Sequence, residues 1–146
     1  MGRRGDVEIA FPRHPNPGLA GAPPGLPTLP PLDLPDFLRL MLRADLILTD
    51  SGGVQEEAIT LGKPVIVLRA ATERLEGGAV LAGTDADRIV QAAEAHLDGS
   101  VEPAEPSSAY GDGRAASRIV NALLGRPVQE FVPVASPARD GLRQIG

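Results

Sequence analysis

The sequence contains no cysteine and few aromatic residues, and each absence excludes a class of site or core. Without cysteine, the chain has no disulfide framework, no thiol nucleophile and no zinc–thiolate site, which is compatible with a cytoplasmic location. Aromatic residues make up only 3% of the chain, so we predict a core built mostly from Val, Ile, Leu and Ala.

Long apolar runs and basic clusters are also missing. No run approaches the roughly 20 residues that a membrane-spanning helix needs, and the basic start MGRRGDVEIA lacks the apolar stretch of a secretory signal. The net charge of −5, with no cluster of Lys or Arg, argues against non-specific binding of nucleic acid. We therefore expect a cytoplasmic protein that binds neither membrane nor nucleic acid.

The chain has the length of one domain, with 146 residues of which 42% are apolar. Its 17 glycines and 15 prolines are concentrated in residues 12–31, in residues 102–113 and after residue 125. Such stretches are typical of loops and disordered ends. We predict one folded domain over residues 1–125 and a mobile tail over residues 126–146.

The spacing of apolar residues predicts about three strands and four helices. The strands are Val7–Phe11, Leu46–Thr49 and Pro64–Leu68, and the helices are Asp33–Arg43, Val54–Leu61, one that begins near Thr84, and Ala115–Leu124. Because the second and third strands do not alternate with polar residues, we expect both to be buried on both faces, as in a parallel sheet covered by helices. The strand–helix–strand order predicts an α/β fold with an open parallel sheet. The sheet resembles one that is cut open at its N-terminal side, since doubly wound domains usually have about five or six strands.

The apolar positions of the helices also predict which faces they bury. Phe37, Leu40 and Met41 share one face of the first helix. The last helix is expected to turn Ile119, Val120 and Leu123 inward, and the third to bury Ile89, Val90, Ala93 and Leu97.

The stretch Asp50-Ser51-Gly52-Gly53 lies where ligands bind in open parallel sheets, between the end of a strand and the start of a helix. Ser51 can cap the helix and donate to a phosphate oxygen, while Gly52 and Gly53 leave their N–H groups open to anions. One turn later, the Glu57 carboxylate suits the two hydroxyl groups of a ribose. Together these groups predict a nucleotide site.

The same spacing also fits an ordinary tight turn with a capped helix. The chain has neither the GxGxxG fingerprint nor the P-loop lysine of other nucleotide sites. A hydrolase nucleophile at Ser51 is disfavoured because the motif is not GxSxG.

The run LPDFLRLMLRADLILTDSGGVQEEAITLGKPVIVLRAATERLE closely resembles the C-terminal domain of non-hydrolysing UDP-N-acetylglucosamine 2-epimerases. PRHPNP before it, and GTDADRIV and YGDGRAASRIV after it, match the same family in order, so the resemblance covers roughly residues 7–125. It implies a partial Rossmann-like C-terminal domain of the B-type glycosyltransferase (GT-B) fold, in which UDP lies in the cleft between two domains.

The resemblance also implies roles for individual residues. It implies phosphate contacts at Ser51, Gly52 and Gly53, and a ribose contact at Glu57. It places Arg74 near the diphosphate, although without the family match an arginine on the surface would be as good an interpretation. The remaining implied contacts are the uracil pocket at Phe37 and the backbone near Leu32, and a regulatory UDP-sugar contact at His14. By periodicity alone, Phe37 is a core residue of its helix, and His14 between prolines is simply exposed.

The resemblance further implies that the catalytic groups lie outside this chain. In the family, UDP is eliminated from the sugar and added back with inversion at C2, and the carboxylates that move the C2 proton belong to the N-terminal domain. We therefore predict a UDP-binding half of an isomerase that interconverts UDP-N-acetylglucosamine and UDP-N-acetylmannosamine, with no catalytic residue, metal or cofactor of its own. Turnover would need a missing N-terminal domain or a separate chain that carries it. The alternatives are a non-catalytic UDP-sugar binding module and an inactive remnant; homo-oligomerisation stays open.

Overall fold

The computed structural model describes residues 4–16, 18, 21, 24–74, 79–101, 103–134 and 143–144. The chain divides into two compact units, Met1–Arg43 and Ala44–Gly146, and each is described by itself. The predicted boundary at residue 125 and the mobility of the tail stay predictions. None of the helices in the described part of the chain combines the length and apolar character needed to cross a membrane.

The first unit contains two short strands and one helix. Strands β1 (Phe11–Pro12) and β2 (Thr28–Leu29) pair in parallel, so the strand predicted from Val7 was wrong in its extent. Helix α1 spans Leu34–Arg43. Its start is fixed by Asp33, whose Oδ1 accepts a hydrogen bond from the Asp36 amide at 2.9 Å. The predicted helix face is confirmed, with Met41 buried and both Phe37 and Leu40 half-buried.

The second unit is built on a parallel four-stranded sheet in the order β3-β4-β5-β6. The strands are β3 (Ile47–Thr49), β4 (Val65–Val67), β5 (Val80–Leu81) and β6 (Arg143–Gln144). Helix α2 (Gly52–Thr60) follows β3 along the chain. Helices α3 (Ala86–Leu97) and α4 (Ala115–Leu123) follow β5. All three residues of β4 are buried, so the core lies around this strand. The prediction of an α/β fold with an open parallel sheet is confirmed.

The local sequence predicted the end of α2 correctly, but it did not predict the burial of β3. The stop of α2 at Gly62 is confirmed: this residue has a φ of +67°, and an added Cβ would lie 2.6 Å from the Pro106 ring. The burial of β3 on both faces was wrong, because Leu48 is exposed while its neighbours Ile47 and Thr49 are buried. Since successive side chains of a strand point to opposite faces, only one face of β3 is covered.

Helix α4 does not bury the apolar face that its amphipathic pattern predicted, and none of its residues is fully buried. Leu123 is 81% exposed, and Ile119 and Val120 are exposed as well.

The half-buried residue Arg118 makes the polar contacts of this helix: both its Nη atoms donate to the Asp112 carboxylate, at 2.6 and 2.7 Å. Its Nε donates to the Gln129 carbonyl at 2.8 Å, and its guanidinium lies 5.4 Å from the centroid of the Phe131 ring. These polar and cation–π contacts hold the Arg118 side inward. The outward side, formed by Ile119, Val120, Leu123 and Leu124, is called the apolar α4 face below.

The ion pair between Asp112 and Arg118 should make stability depend on pH. The hydrogen bonds from Arg118 hold the pKa of Asp112 well below its ordinary value, and the Arg114 amide adds a further bond. A carboxylate with a depressed pKa in the folded state stabilises the fold above the unfolded pKa, near about 4, and this contribution is lost as pH falls.

We therefore expect wild-type stability to fall more steeply than that of Asp112→Asn between about pH 5 and about pH 2. Urea unfolding at several pH values measures the difference. Asp45→Asn, which removes one negative charge from an exposed loop position, is the matched control. Parallel pH profiles for the wild type and Asp112→Asn would contradict the prediction.

Candidate functional site

The turn between β3 and α2 exposes two backbone amides. The buried Thr49 hydroxyl accepts the Ser51 amide at 3.0 Å. Ser51 is the N-cap of α2 in an extended conformation, and its Oγ accepts the Val54 amide at 3.4 Å. The helix begins two residues earlier than predicted, so Gly52 and Gly53 both lie in its first turn. No helical carbonyl can reach the N–H groups of a first turn, so both amides can donate to a ligand.

The Arg74 guanidinium lies against Gly52. A Cβ added to Gly52 would lie 2.5 Å from Arg74 Cζ and 2.6 Å from its Nη1, so only glycine fits at this position without moving the arginine. The same addition to Gly53 would meet no atom within 4 Å. A cation beside a helix N-terminus is electrostatically unfavourable, because the helix dipole is already positive there. An anion bound at this point would be attracted by both the guanidinium and the free amides.

Two acidic side chains contact Arg74. Its Nε donates to Glu56 Oε1 at 2.6 Å, and its Nη1 is paired with Glu73. Glu73 is largely exposed and also lies 3.5 Å from Arg69, so its pairing is readily exchanged for water. Glu56 is partly buried, and its negative charge offsets the positive charge of the guanidinium beside the helix N-terminus.

A buried glutamine of α2 is hydrogen-bonded to the segment that carries Arg74. Gln55 is 0% exposed, its Nε2 donates to the Arg74 carbonyl at 2.6 Å, and its Oε1 accepts the Thr72 hydroxyl at 3.0 Å. Sequence reasoning missed this role of Gln55. The available signal was a polar residue on the same helix face as Ala58 and Ile59, which are both buried.

Glu57 is half-buried on α2, one turn after Gly53. Within the part of the chain that the structure describes, its carboxylate has no hydrogen bond or ion pair, in contrast to Glu56. It is therefore available to accept hydrogen bonds from a ligand. The second unit thus brings Ser51, Gly52 and Arg74 together at the start of α2, and Glu57 lies on the same helix.

The other predicted site residues belong to the first unit. Leu32 precedes α1, Phe37 is half-buried on α1, and His14 is exposed in the loop after β1. The Nδ1 atom of His14 accepts the Asn16 amide at 3.0 Å. Their predicted contacts with uracil and with a regulatory UDP-sugar stay predictions.

The side chains and amides at the start of α2 suit the binding of an anion. No group of three or more His, Cys, Asp or Glu side chains in the described part of the chain is placed to hold a metal ion. The start of α2 combines a guanidinium, two free amides and a hydroxyl, which are the donors that phosphate oxygens accept.

Comparisons with known proteins agree on one family. A family model described as UDP-N-acetylglucosamine 2-epimerase matches residues 3–124. A UDP-N-acetylglucosamine 2-epimerase from Bacillus subtilis is 43% identical over an alignment 138 residues long, and the match covers 85% of this chain and 36% of the relative. The relatives are thus almost three times as long as the part that this chain spans.

Solved structures give the same answer for the fold. The S. aureus MnaA–UDP co-structure matches with a TM-score of 0.69 at 34% identity, over 89% of this chain and 41% of that one. The UDP-GlcNAc 2-epimerase from Neisseria meningitidis bound to UDP-GlcNAc matches with a TM-score of 0.67 at 33% identity, over 80% and 35% of the two chains. The predicted relationship to the GT-B fold of these epimerases is confirmed.

Proposed function

The chain belongs to the UDP-N-acetylglucosamine 2-epimerase family, and on this basis we propose that it is the UDP-binding part of such an epimerase. The reaction would interconvert UDP-N-acetylglucosamine and UDP-N-acetylmannosamine. Turnover would need the portion of the relatives that this chain does not span. A cytoplasmic location is part of the same proposal.

The observation that carries the proposal is the position of Arg74 against Gly52 at the free start of α2. A diphosphate there would accept hydrogen bonds from the guanidinium, from the amides of Gly52 and Gly53, and from the Ser51 hydroxyl. Such charge-assisted hydrogen bonds are the strong ones in proteins. Two structural neighbours with this fold were crystallised with UDP or UDP-GlcNAc, which supports a nucleotide as the anion.

The nucleoside side of the ligand is proposed from the remaining residues. Glu57 would hold the ribose hydroxyl groups, because its carboxylate is unpaired among the described residues and lies one turn from Gly53. Phe37 and the backbone at Leu32 would contact the uracil, and His14 a second UDP-sugar, as the family resemblance implies.

The apolar α4 face supports the need for a further domain or chain. Its four side chains, Ile119, Val120, Leu123 and Leu124, are all more than half exposed. Contiguous exposed apolar residues on a helix usually mark a surface that another protein segment covers. Since the relatives are far longer than this chain, the part that they have in addition is the proposed occupant.

A titration with UDP tests the proposal. At a concentration one hundred times the dissociation constant, UDP should add about 2.7 kcal/mol to the free energy of unfolding, which corresponds to a rise in melting temperature on the order of 10 °C. Uridine, which lacks the phosphates, should produce a much smaller rise, and Arg74→Ala should reduce the rise caused by UDP. A melting curve that millimolar UDP leaves unchanged would overturn the proposed function.

A further inference from the structure

Gln55 has the features of a residue that positions another residue rather than a ligand. It is fully buried, so its side chain is out of reach of a nucleotide. Both of its polar atoms are nevertheless used, and both bonds go to the segment that carries Arg74: Nε2 to the Arg74 carbonyl at 2.6 Å and Oε1 to the Thr72 hydroxyl at 3.0 Å. Buried polar groups that are hydrogen-bonded hold their partners in one arrangement.

Thr72 extends this connection to the amide of the arginine itself. Its Oγ1 donates to Gln55 and accepts the Arg74 amide at 3.1 Å. The backbone of Arg74 is therefore fixed on its carbonyl side by Gln55 directly, and on its amide side by Gln55 through Thr72. The guanidinium is held separately, by Glu56 at 2.6 Å and by its ion pair with Glu73.

We propose that Gln55 is the positioning residue for Arg74, and that its side-chain amide fixes the 72–74 segment so that the guanidinium lies against Gly52 before any nucleotide binds. Gln55 itself follows the N-terminal turn of α2, and its backbone amide donates to the Ser51 carbonyl at 3.1 Å. One residue thus couples the helix that supplies the anion-binding amides to the segment that supplies the positive charge. The consequence for nucleotide binding rests on the proposed function, whereas the positioning of the segment does not.

The alternative is that Gln55 only stabilises the fold. Its side chain fills buried space beside Ala58 and Ile59, so any shortened variant would leave a cavity. Gln55→Met keeps nearly the same volume and removes both hydrogen-bonding atoms. Gln55→Leu removes the same two hydrogen-bonding atoms with a side chain of similar volume, and it serves in case the first variant does not fold.

The first measurement uses the protein without ligand. Amide hydrogen exchange, followed residue by residue by NMR, should be at least about tenfold faster at Arg74 in Gln55→Met than in the wild type. The amides of α3 should exchange at unchanged rates. Unchanged exchange at Arg74 in a folded Gln55→Met or Gln55→Leu protein would overturn the proposal, whether or not the protein binds UDP.

The second measurement is a double-mutant cycle on UDP affinity. Gln55→Met alone should weaken UDP about tenfold. In the Arg74→Ala background the same substitution should have almost no further effect, because the group that it positions is already absent. An equal loss in both backgrounds would show a purely structural role. If the wild type does not bind UDP at all, the proposed function fails, and hydrogen exchange alone decides whether Gln55 positions Arg74.

Discussion

A chimera that joins the unmatched portion of the Bacillus subtilis relative to this chain is expected to interconvert UDP-N-acetylglucosamine and UDP-N-acetylmannosamine, whereas this chain alone is expected to give no turnover. Inversion at C2 requires a base within hydrogen-bond reach of the C2 proton. The family resemblance assigns that base to the part of the relatives that this chain does not match. In the proposed function, the site at α2 stabilises UDP as a leaving group, and the Glu57 carboxylate is assigned to the ribose rather than to the C2 proton.

Exchange of the C2 proton in deuterated water is a sensitive measure of this reaction, because deuterium is incorporated each time the proton is removed and replaced. Arg74→Ala in the chimera is the control for a requirement of the nucleotide site. Deuterium incorporation by the isolated chain would contradict the prediction. An inactive chimera whose UDP affinity equals that of the isolated chain would favour the alternative of a non-catalytic binding module.

A substitution in the apolar α4 face tests whether this surface contacts the added part of the chimera. Leu123→Asp should leave the melting temperature of the isolated chain almost unchanged, because Leu123 is already 81% exposed. In the chimera it should lower activity strongly, because an aspartate buried against an apolar partner loses its hydration without gaining a hydrogen bond. Gln91→Asp, which adds the same charge at an exposed position of α3, is the matched control. Equal activity of the two variants would show that the apolar α4 face is not the contact surface.

The sequence predicted the central β-α-β unit well because its signals are local. The apolar strands before and after α2, the Ser51 cap and the Gly62 stop each depend on a few neighbouring residues, and the structure contains all of them. The strands β5 and β6 were not predicted. Each has only two residues, and Arg143–Gln144 carries no apolar pattern, so both depend on pairing with distant residues.

The candidate site was predictable in part for the same reason. Ser51, Gly52 and Gly53 follow each other along the chain, so their position at the start of a helix could be deduced from the order of the elements. The contact between Gly52 and Arg74 joins residues 22 positions apart, and the bond from Gln55 to the Arg74 carbonyl spans 19. Such contacts are set by the tertiary fold. The predicted orientation of α4 was wrong for a related reason. Arg118 contacts Gln129 and Phe131, and these contacts, rather than the apolar pattern of the helix, set which side faces the chain.

Because Gly52 lies against Arg74, we expect that adding a single methyl group at Gly52 strongly weakens the binding of UDP. Gly52→Ala is expected to lower UDP affinity at least about tenfold, which corresponds to about 1.4 kcal/mol. The new Cβ would lie 2.5 Å from the Arg74 guanidinium carbon, so the guanidinium must leave its position and the contact with Glu56 at 2.6 Å must break. Because a guanidinium is the flexible end of its side chain, this displacement should cost little stability, and alanine's better helix propensity offsets part of it.

Gly53→Ala separates this effect from a general sensitivity of the first turn. A Cβ at Gly53 meets no atom within 4 Å, so the position of Arg74 should be preserved and any loss of affinity must come from the ligand itself. Isothermal titration with UDP should then show that Gly52→Ala has almost no additional effect in the Arg74→Ala background, whereas any loss caused by Gly53→Ala persists there. If Gly52→Ala binds UDP as tightly as the wild type, the guanidinium at the start of α2 takes no part in holding the diphosphate. The anion would then be bound by the helix amides alone.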